Sequence, residues 1–121
     1  MVKALFDTNI LIDFLRGVPA ARDELGRYES RAISIVTWME ILAGAPMPTD
    51  RRTRDFLDGF TLIALDDKVA FRAVTLQRQH RLKLPDAIVW ASAQVGGMLL
   101  VTRDVKDFPA DDPGVRMPYR V

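Results

Sequence analysis

Short apolar runs alternate along the chain with longer stretches in which apolar residues recur at helical spacing. The short runs predict four strands, with a fifth at the edge of the sheet, at 2–6, 32–36, 61–65, 98–101 and 115–117. The longer stretches predict helices at 10–15, 19–30, 37–44, 50–59, 67–80 and 85–95. Because strands and helices alternate, we expect an α/β domain with a central, mainly parallel sheet of four to five strands.

The last predicted helix differs from the others in its pattern. Residues 87–95 are nearly all apolar, which predicts a buried helix near the centre of the domain. Pro85 favours a helix start, and Gly96 with Gly97 favours its end. The chain has 121 residues and no repeat or linker, so we expect a single domain over 1–121.

The composition removes several classes of site. The chain contains no cysteine and one histidine, His80, which excludes disulfide scaffolds, iron–sulfur clusters, cysteine nucleophiles and metal sites built from several histidines. The longest uncharged run, 87–102, has 16 residues, fewer than the ~20 apolar residues of a membrane span. Asp7 comes too early for a signal peptide. We therefore expect a soluble, cytoplasmic protein that does not contact a membrane.

Four acids fall at equivalent places in this pattern. Asp7 follows the first strand, Glu40 lies in the predicted first turn of the helix after the second strand, Asp86 lies in the first turn of the buried helix, and Asp104 follows the fourth strand. In a parallel sheet, the strand ends and the helix starts that follow them share one edge, where ligands bind. We therefore expect these four carboxylates to lie together at that edge.

Each acid also has a purely structural interpretation. Asp7 and Asp104 can cap helical turns, Glu40 can form a capping box with Thr37, and Asp86 can compensate a helix dipole. Two observations favour a metal site instead. Asp7 and Asp86 lie within apolar stretches, where an unpaired charge is costly. Four carboxylates in one crevice repel one another unless a hard divalent cation, Mg²⁺ or Mn²⁺, is bound.

The charge balance points to a polyanionic partner. The net charge is only +1, but without the four acids 17 basic residues face 12 acidic ones. A small acidic crevice on an otherwise basic surface suits a metal site that receives a polyanion. Arg103, which lies between Thr102 and Asp104, is our candidate for a phosphate contact, and the arginines of the helix at 50–59 are either an RNA track or a solvated face.

A family resemblance rests on four segments. They are LFDTNIL at 5–11, TWMEILAG at 37–44, LPDAIVWASA at 84–93 and VTRDVKDF at 101–108. In this order and spacing they resemble the PIN-domain family and, within it, the VapC-type toxin ribonucleases, over residues 3–108. Trp90 departs from the small residue that relatives often carry, which concerns packing rather than the four acids.

The resemblance implies a PIN-like three-layer α/β/α fold and a Mg²⁺- or Mn²⁺-dependent endoribonuclease, the toxin of a type II toxin–antitoxin pair. It implies that the catalytic and metal-binding acids are Asp7, Glu40, Asp86 and Asp104. Asp107 corresponds to an acid that helps to hold a second ion in some relatives, and Thr8 and Thr102 correspond to polar positions beside the metal. The partners it implies are RNA, a second copy of the chain and a small antitoxin protein.

Two alternatives stay open at the level of sequence. The chain could be a PIN module without activity that only binds a partner, although all four acids are present. It could also be an aspartyl-phosphate domain of the receiver or phosphatase type. The phosphatase pattern requires a second aspartate where Asn9 stands, and the receiver pattern requires a lysine after the last strand, which we do not find.

Overall fold

The computed structural model describes residues 2–120. Five parallel strands form one sheet in the order β3-β2-β1-β4-β5. The strands are β1 (Lys3–Phe6), β2 (Ser30–Ser34), β3 (Thr61–Ile63), β4 (Leu99–Val101) and β5 (Val115–Arg116). The helices are α1 (Thr8–Leu15), α2 (Pro19–Gly26), α3 (Ile35–Ala43), α4 (Arg51–Asp58), α5 (Asp67–His80) and α6 (Leu84–Val95).

Helices cover both faces of the sheet, which confirms the predicted three-layer α/β/α architecture. Successive strand residues point to opposite faces, so Leu5 joins the cluster under α5 and α6 whereas Phe6 joins the cluster under α1 to α4. Strands that are buried on both faces are apolar at nearly every position. Continuous apolar runs in the sequence therefore predicted them. No helix within residues 2–120 is long and apolar enough to cross a membrane.

The centre of the sheet brings two distant segments together. Phe6 of β1 pairs with Val101 of β4, and the next amide, that of Asp7, donates to the Val101 carbonyl at 2.9 Å. The chain after β1 and the chain after β4 therefore leave the sheet side by side. Residues almost a hundred positions apart in sequence become neighbours at the carboxyl edge.

The helix α6 also begins at the carboxyl edge of the sheet, although it precedes β4 in the sequence. Only residues 96–98 separate its end from the start of β4, so α6 runs antiparallel to the strands and begins at their carboxyl ends. The prediction that α6 is buried is confirmed, since Trp90 is 1 % exposed. The Trp90 ring meets Phe108 edge-on at 5.9 Å and His80 at 4.8 Å, which accommodates the large side chain.

The region of β2 and α3 differs from the sequence prediction. We expected a strand at 32–36 and a helix from Thr37, but the strand ends at Ser34 and the helix begins at Ile35. Ser34 is the N-cap, and its hydroxyl accepts from the Val36 amide at 3.1 Å. The β-branched Ile35 and Val36 resemble a strand, yet the cap places them in the first turn. The capping box of Thr37 with Glu40 was therefore a wrong prediction.

Candidate metal centre

Asp7 lies at the middle of the carboxyl edge and is 6 % exposed. It is the N-cap of α1, because its Oδ1 accepts from the Thr8 amide at 2.8 Å. Its Oδ2 accepts from the Thr102 hydroxyl at 2.8 Å. Burial raises the pKa of Asp7 to about 6, the two hydrogen bonds oppose that rise, and the charges of Asp86 and Asp104 add to it.

Three further acids form a compact group beside Asp7. Asp86, Asp104 and Asp107 each place one carboxylate oxygen within 4.8 Å of the others. The pKa of Asp86 is raised to about 6 by burial and by the charges of Asp107, Asp104 and Glu40, whereas Lys83 acts in the opposite direction. The group is held locally, since Asp104 Oδ1 accepts from the amides of Lys106 at 3.1 Å and Asp107 at 3.2 Å.

Glu40 reaches this edge from the second turn of α3 rather than from the first. Its Oε1 accepts from the Thr8 hydroxyl at 2.6 Å, and that hydroxyl lies 3.0 Å from the hydroxyl of buried Thr37. Thr8 therefore links the start of α1 to α3. The second carboxylate oxygen of Glu40 is left for another partner, and its charge acts on Asp86.

Thr102 and Asn9 connect the acids to one another. The Thr102 hydroxyl donates to Asp7 and accepts from the Asp104 amide at 3.0 Å. The Asn9 side-chain amide lies 3.3 Å from the same hydroxyl and 3.4 Å from Asp7 Oδ2, and its oxygen accepts from the Arg103 amide at 3.2 Å. Sequence reasoning missed this role of Asn9, although the residue stands within the quoted segment LFDTNIL.

We call Asp7, Glu40, Asp86, Asp104 and Asp107 the edge acids. None of these five carboxylates forms a salt bridge with a basic side chain within residues 2–120. They offer only oxygen ligands, which is the donor set of Mg²⁺ and Mn²⁺. Burial and neighbouring acids raise the pKa of both Asp7 and Asp86, so a nearby cation would stabilise their charged forms. The residues present therefore fit a divalent ion.

The structure gives Arg103 a partner that we did not expect. Its Nε and Nη2 donate to the carboxylate of Asp13, at 2.6 and 3.1 Å, and the Tyr119 hydroxyl donates to the same carboxylate at 2.7 Å. The contact of Arg103 with an RNA phosphate stays a prediction. The pairing with Asp13 argues against it, because most of the guanidinium charge is already compensated.

Asp13 has a counterpart in Glu24, and we call these two residues the paired acids. Glu24 Oε2 accepts from Arg116 Nε at 2.8 Å and from the Tyr28 hydroxyl at 2.9 Å. Sequence reasoning missed both acids. The signal was present at Asp13, which interrupts an apolar run in the sequence between Ile12 and Phe14.

A protein family and a curated relative each match most of the chain. The PIN domain family matches residues 4–110. A curated relative, "Ribonuclease VapC10" from Mycobacterium tuberculosis, is 34 % identical over 113 aligned residues, covering 87 % of this chain and 85 % of the relative.

Solved structures show the same fold. The "Toxin-antitoxin complex from Klebsiella pneumoniae" superposes with a TM-score of 0.91 at 44 % identity, covering 98 % of this chain and 100 % of that one. A DNA-bound VapBC complex from Salmonella typhimurium has a TM-score of 0.77 at 22 % identity, with 96 % of both chains covered. At that lower identity the likeness concerns the fold alone.

Proposed function

This chain belongs to the PIN-domain family and to its VapC-type ribonucleases, and from that premise we propose that it is a Mg²⁺- or Mn²⁺-dependent endoribonuclease. The observation that carries the proposal is the group of Asp86, Asp104 and Asp107 with Asp7 and Glu40 beside it, since none of these five acids has a salt-bridge partner within residues 2–120. An arrangement of this kind costs folding stability, which a bound divalent ion offsets. The name of the curated relative supports RNA as the substrate.

We assign the residues by their match to the family pattern, since the compact oxygen group in the structure consists of Asp86, Asp104 and Asp107, with Asp7 beside it. Asp7, Asp86 and Asp104 would hold the ion directly, and Asp107 would help to hold a second one. A bound divalent ion supplies an activated water and neutralises charge at phosphorus, so no histidine base is needed. The Thr102 hydroxyl orients the carboxylate of Asp7 by donating to it. The same hydroxyl accepts from the backbone amide of Asp104 and so fixes the position of that residue.

Glu40 is assigned either as a further ligand or as the acceptor that orients the attacking water. The Thr8 hydroxyl holds one of its oxygens, which fixes the direction of the other. Thr8 is therefore a positioning residue in this proposal. A water held by the second oxygen would be aligned by the same contact.

The proposed partners follow from the relatives. The Klebsiella pneumoniae structure is titled a toxin–antitoxin complex, and we propose that this chain is likewise the toxin of a type II pair, acts in the cytoplasm and is bound by a small antitoxin protein. We also propose a homodimer. A dimer seam on the apolar side of 50–60 is not favoured, because Leu57 is buried and Phe56 and Phe60 pack against the core.

Of the two alternatives, the aspartyl-phosphate domain has no support in the site. The other alternative, a module that only binds a partner, can be distinguished from a nuclease by experiment. It would bind the antitoxin and leave RNA intact with either metal. Asp7 favours the nuclease, because a binding module has no need for a buried carboxylate without a basic partner among the described residues.

The test is RNA cleavage by purified protein after removal of metal with a chelator. Cleavage should be absent without metal and restored by Mg²⁺ or Mn²⁺. Asp7→Asn, Asp86→Asn and Asp104→Asn should each lower the rate by at least about a hundredfold, since each removes a charged ligand. Asp55→Asn, an exposed acid on α4, is the matched control and should keep full activity. Cleavage that survives both the chelator and Asp7→Asn would exclude the metal mechanism.

A further inference from the structure

A cleft on the β4–β5 side of the acid site has no role in the mechanism described above. Its volume is about 320 Å³, and it is lined by Arg103, Val105, Met117, Tyr119 and Arg120. This volume is at the lower end of the range for small-molecule sites, roughly 300–1,000 Å³. The cleft therefore has room for one small group and not for a folded element.

The lining combines three kinds of surface. Val105 and Met117 are apolar, Tyr119 contributes an aromatic ring, and two arginines contribute planar cations. Single-stranded RNA is held in proteins by this combination, because bases stack on aromatic rings and guanidinium planes while arginine meets the phosphates. The chemistry fits a nucleotide better than an inorganic anion, since much of the wall is not charged.

Two of the walls are fixed before any ligand binds. Asp13 holds the Arg103 guanidinium through two hydrogen bonds and holds the Tyr119 hydroxyl at 2.7 Å. The Arg103 backbone is fixed as well, because its amide donates to Asn9 at 3.2 Å. Side chains that are already ordered lose little further entropy on binding, which favours affinity.

The cleft adjoins the candidate metal centre along the chain. Arg103 and Val105 are the two chain neighbours of Asp104, one of the edge acids. The segment that contributes Met117 and Tyr119 follows β5, which pairs with β4, and the Thr102 amide donates to the Arg116 carbonyl at 3.0 Å. A nucleotide bound in the cleft would thus be joined to a phosphate close to the acids.

We propose that this cleft binds the base of a nucleotide adjacent to the scissile phosphate and contributes to the sequence preference of cleavage. The inference rests on the proposed nuclease function. Arg103 and Tyr119 form fixed walls for the base, and Arg120 meets the neighbouring phosphate. Arg103 then contributes the plane of its guanidinium group for stacking with the base, rather than a free charge for a phosphate.

The first experiment titrates the metal-free, ¹⁵N-labelled full-length protein with the four nucleoside monophosphates and with ribose 5-phosphate. At least one nucleotide should shift the backbone amides of 103–105 and 117–120. Ribose 5-phosphate should bind about tenfold more weakly, because it lacks the base that stacks in the cleft. Equal binding of ribose 5-phosphate, or no shift with any nucleotide, would overturn the proposal.

Variants locate the binding within the cleft. Val105 is 51 % exposed, so its replacement does not disturb the core. Val105→Asp should weaken nucleotide binding about tenfold or more by repulsion, whereas Val105→Thr, which has a similar shape and adds no charge, should keep it within about twofold. Arg120→Ala should lower the salt dependence of single-stranded RNA binding by about one phosphate contact. Lys3→Ala, which removes a charge at the opposite edge of the sheet, is the control and should leave that dependence unchanged. Equal effects of Val105→Asp and Val105→Thr would place the nucleotide elsewhere.

The nucleotide titration and the nuclease test can fail independently of each other. If metal-loaded wild type cleaves RNA but nucleotides do not shift these amides, the nuclease stands and the cleft proposal is overturned. If nucleotides bind in the cleft and no RNA is cleaved with either metal, the cleft stands as a nucleotide site and the proposed nuclease fails.

Discussion

Asp7, one of the edge acids, and Asp13, one of the paired acids, are the same residue type in similarly buried positions, but their pKa values are shifted in opposite directions. Asp7 is 6 % exposed and Asp13 is 3 % exposed. The pKa of Asp7 is raised to about 6 by burial, whereas hydrogen bonds from Arg103 hold the pKa of Asp13 below its ordinary value against the effect of burial. Burial would also raise the pKa of Glu24, but its hydrogen bonds with Arg116 and Tyr28 together outweigh it and lower the pKa.

The difference teaches how the fold separates stability from chemistry. The paired acids tie α1 and α2 to the chain around β4 and β5, because each accepts a two-pronged arginine and a tyrosine hydroxyl. The edge acids have no such partner among the described residues and remain available to a cation. We therefore expect that removing a paired acid destabilises the protein, whereas removing Asp7, an edge acid whose pKa is raised, stabilises the metal-free protein.

The largest effect should come from Asp13→Asn. This change leaves the Arg103 guanidinium without a charged partner, and breaking a buried pair costs about 3–5 kcal/mol. Because the Arg103 side chain is 32 % exposed and can be partly hydrated, we expect the lower end of that range, about 3 kcal/mol. Urea unfolding measures the loss. A loss below about 1 kcal/mol would mean that Asp13 behaves as an exposed acid and that the comparison fails.

The second largest effect should be a gain in the free energy of unfolding, caused by Asp7→Asn. A pKa raised from 3.8 to about 6 corresponds to about 3 kcal/mol of lost stability at pH 7. Asp7→Asn removes that cost but also one acceptor for Thr102 and Asn9, so the metal-free variant should be more stable than wild type by about 1–2 kcal/mol. Thermal or urea unfolding in the presence of a chelator measures this gain.

Metal provides the internal control for Asp7→Asn. At a free concentration of a hundred times Kd, an ion that binds only the folded wild type adds about 2.7 kcal/mol. Wild type should then overtake the variant, which has lost a ligand. If Asp7→Asn is less stable than wild type even without metal, Asp7 is a structural cap and not an uncompensated acid.

The pH dependence of the free energy of unfolding should differ in sign between Asp7 and Asp13. The folded-state pKa of Asp7, about 6, lies above its ordinary value of 3.8, so the folded protein binds the extra proton between these values. Metal-free wild type should lose stability relative to Asp7→Asn as the pH rises from 3.8 to about 6.

The pKa of Asp13 is lowered, so its contribution has the reverse sign. That contribution should be complete above pH 3.8 and should be lost as the pH falls through the lower folded-state pKa. Unfolding of wild type, Asp7→Asn and Asp13→Asn across this range gives both profiles. Parallel profiles for the two variants would show that the acids do not differ.

The smallest effect should come from an exposed pair on α4. Arg51 and Asp55 approach to 4.0 Å, with side chains that are 93 % and 69 % exposed. Asp55→Asn should change the free energy of unfolding by less than about 0.5 kcal/mol. A larger change would show that charge at any position, rather than burial with a partner, governs stability.

Much of the fold and part of the site could be predicted from the sequence, because their signals are local. The helix at 67–80 has the predicted bounds, and Asp7 caps α1 as its position after an apolar run indicated. The acids of interest were recognisable because charge within an apolar run is costly. The same argument applied to Asp13 would have marked it as buried but could not have named its partner.

Tertiary structure decided which charges meet. The order β2-β1-β4 places Thr102 beside Asp7, and the direction of α6 brings Asp86 to Asp104 and Asp107. Asp13 meets Arg103 across 90 residues of chain. Sequence periodicity reports only on neighbours within a few turns of a helix or one strand, whereas these contacts depend on strand order and helix direction. A carboxylate next to arginine stabilises the protein and one next to other carboxylates calls for a cation, so the distinction between scaffold and site was made by packing alone.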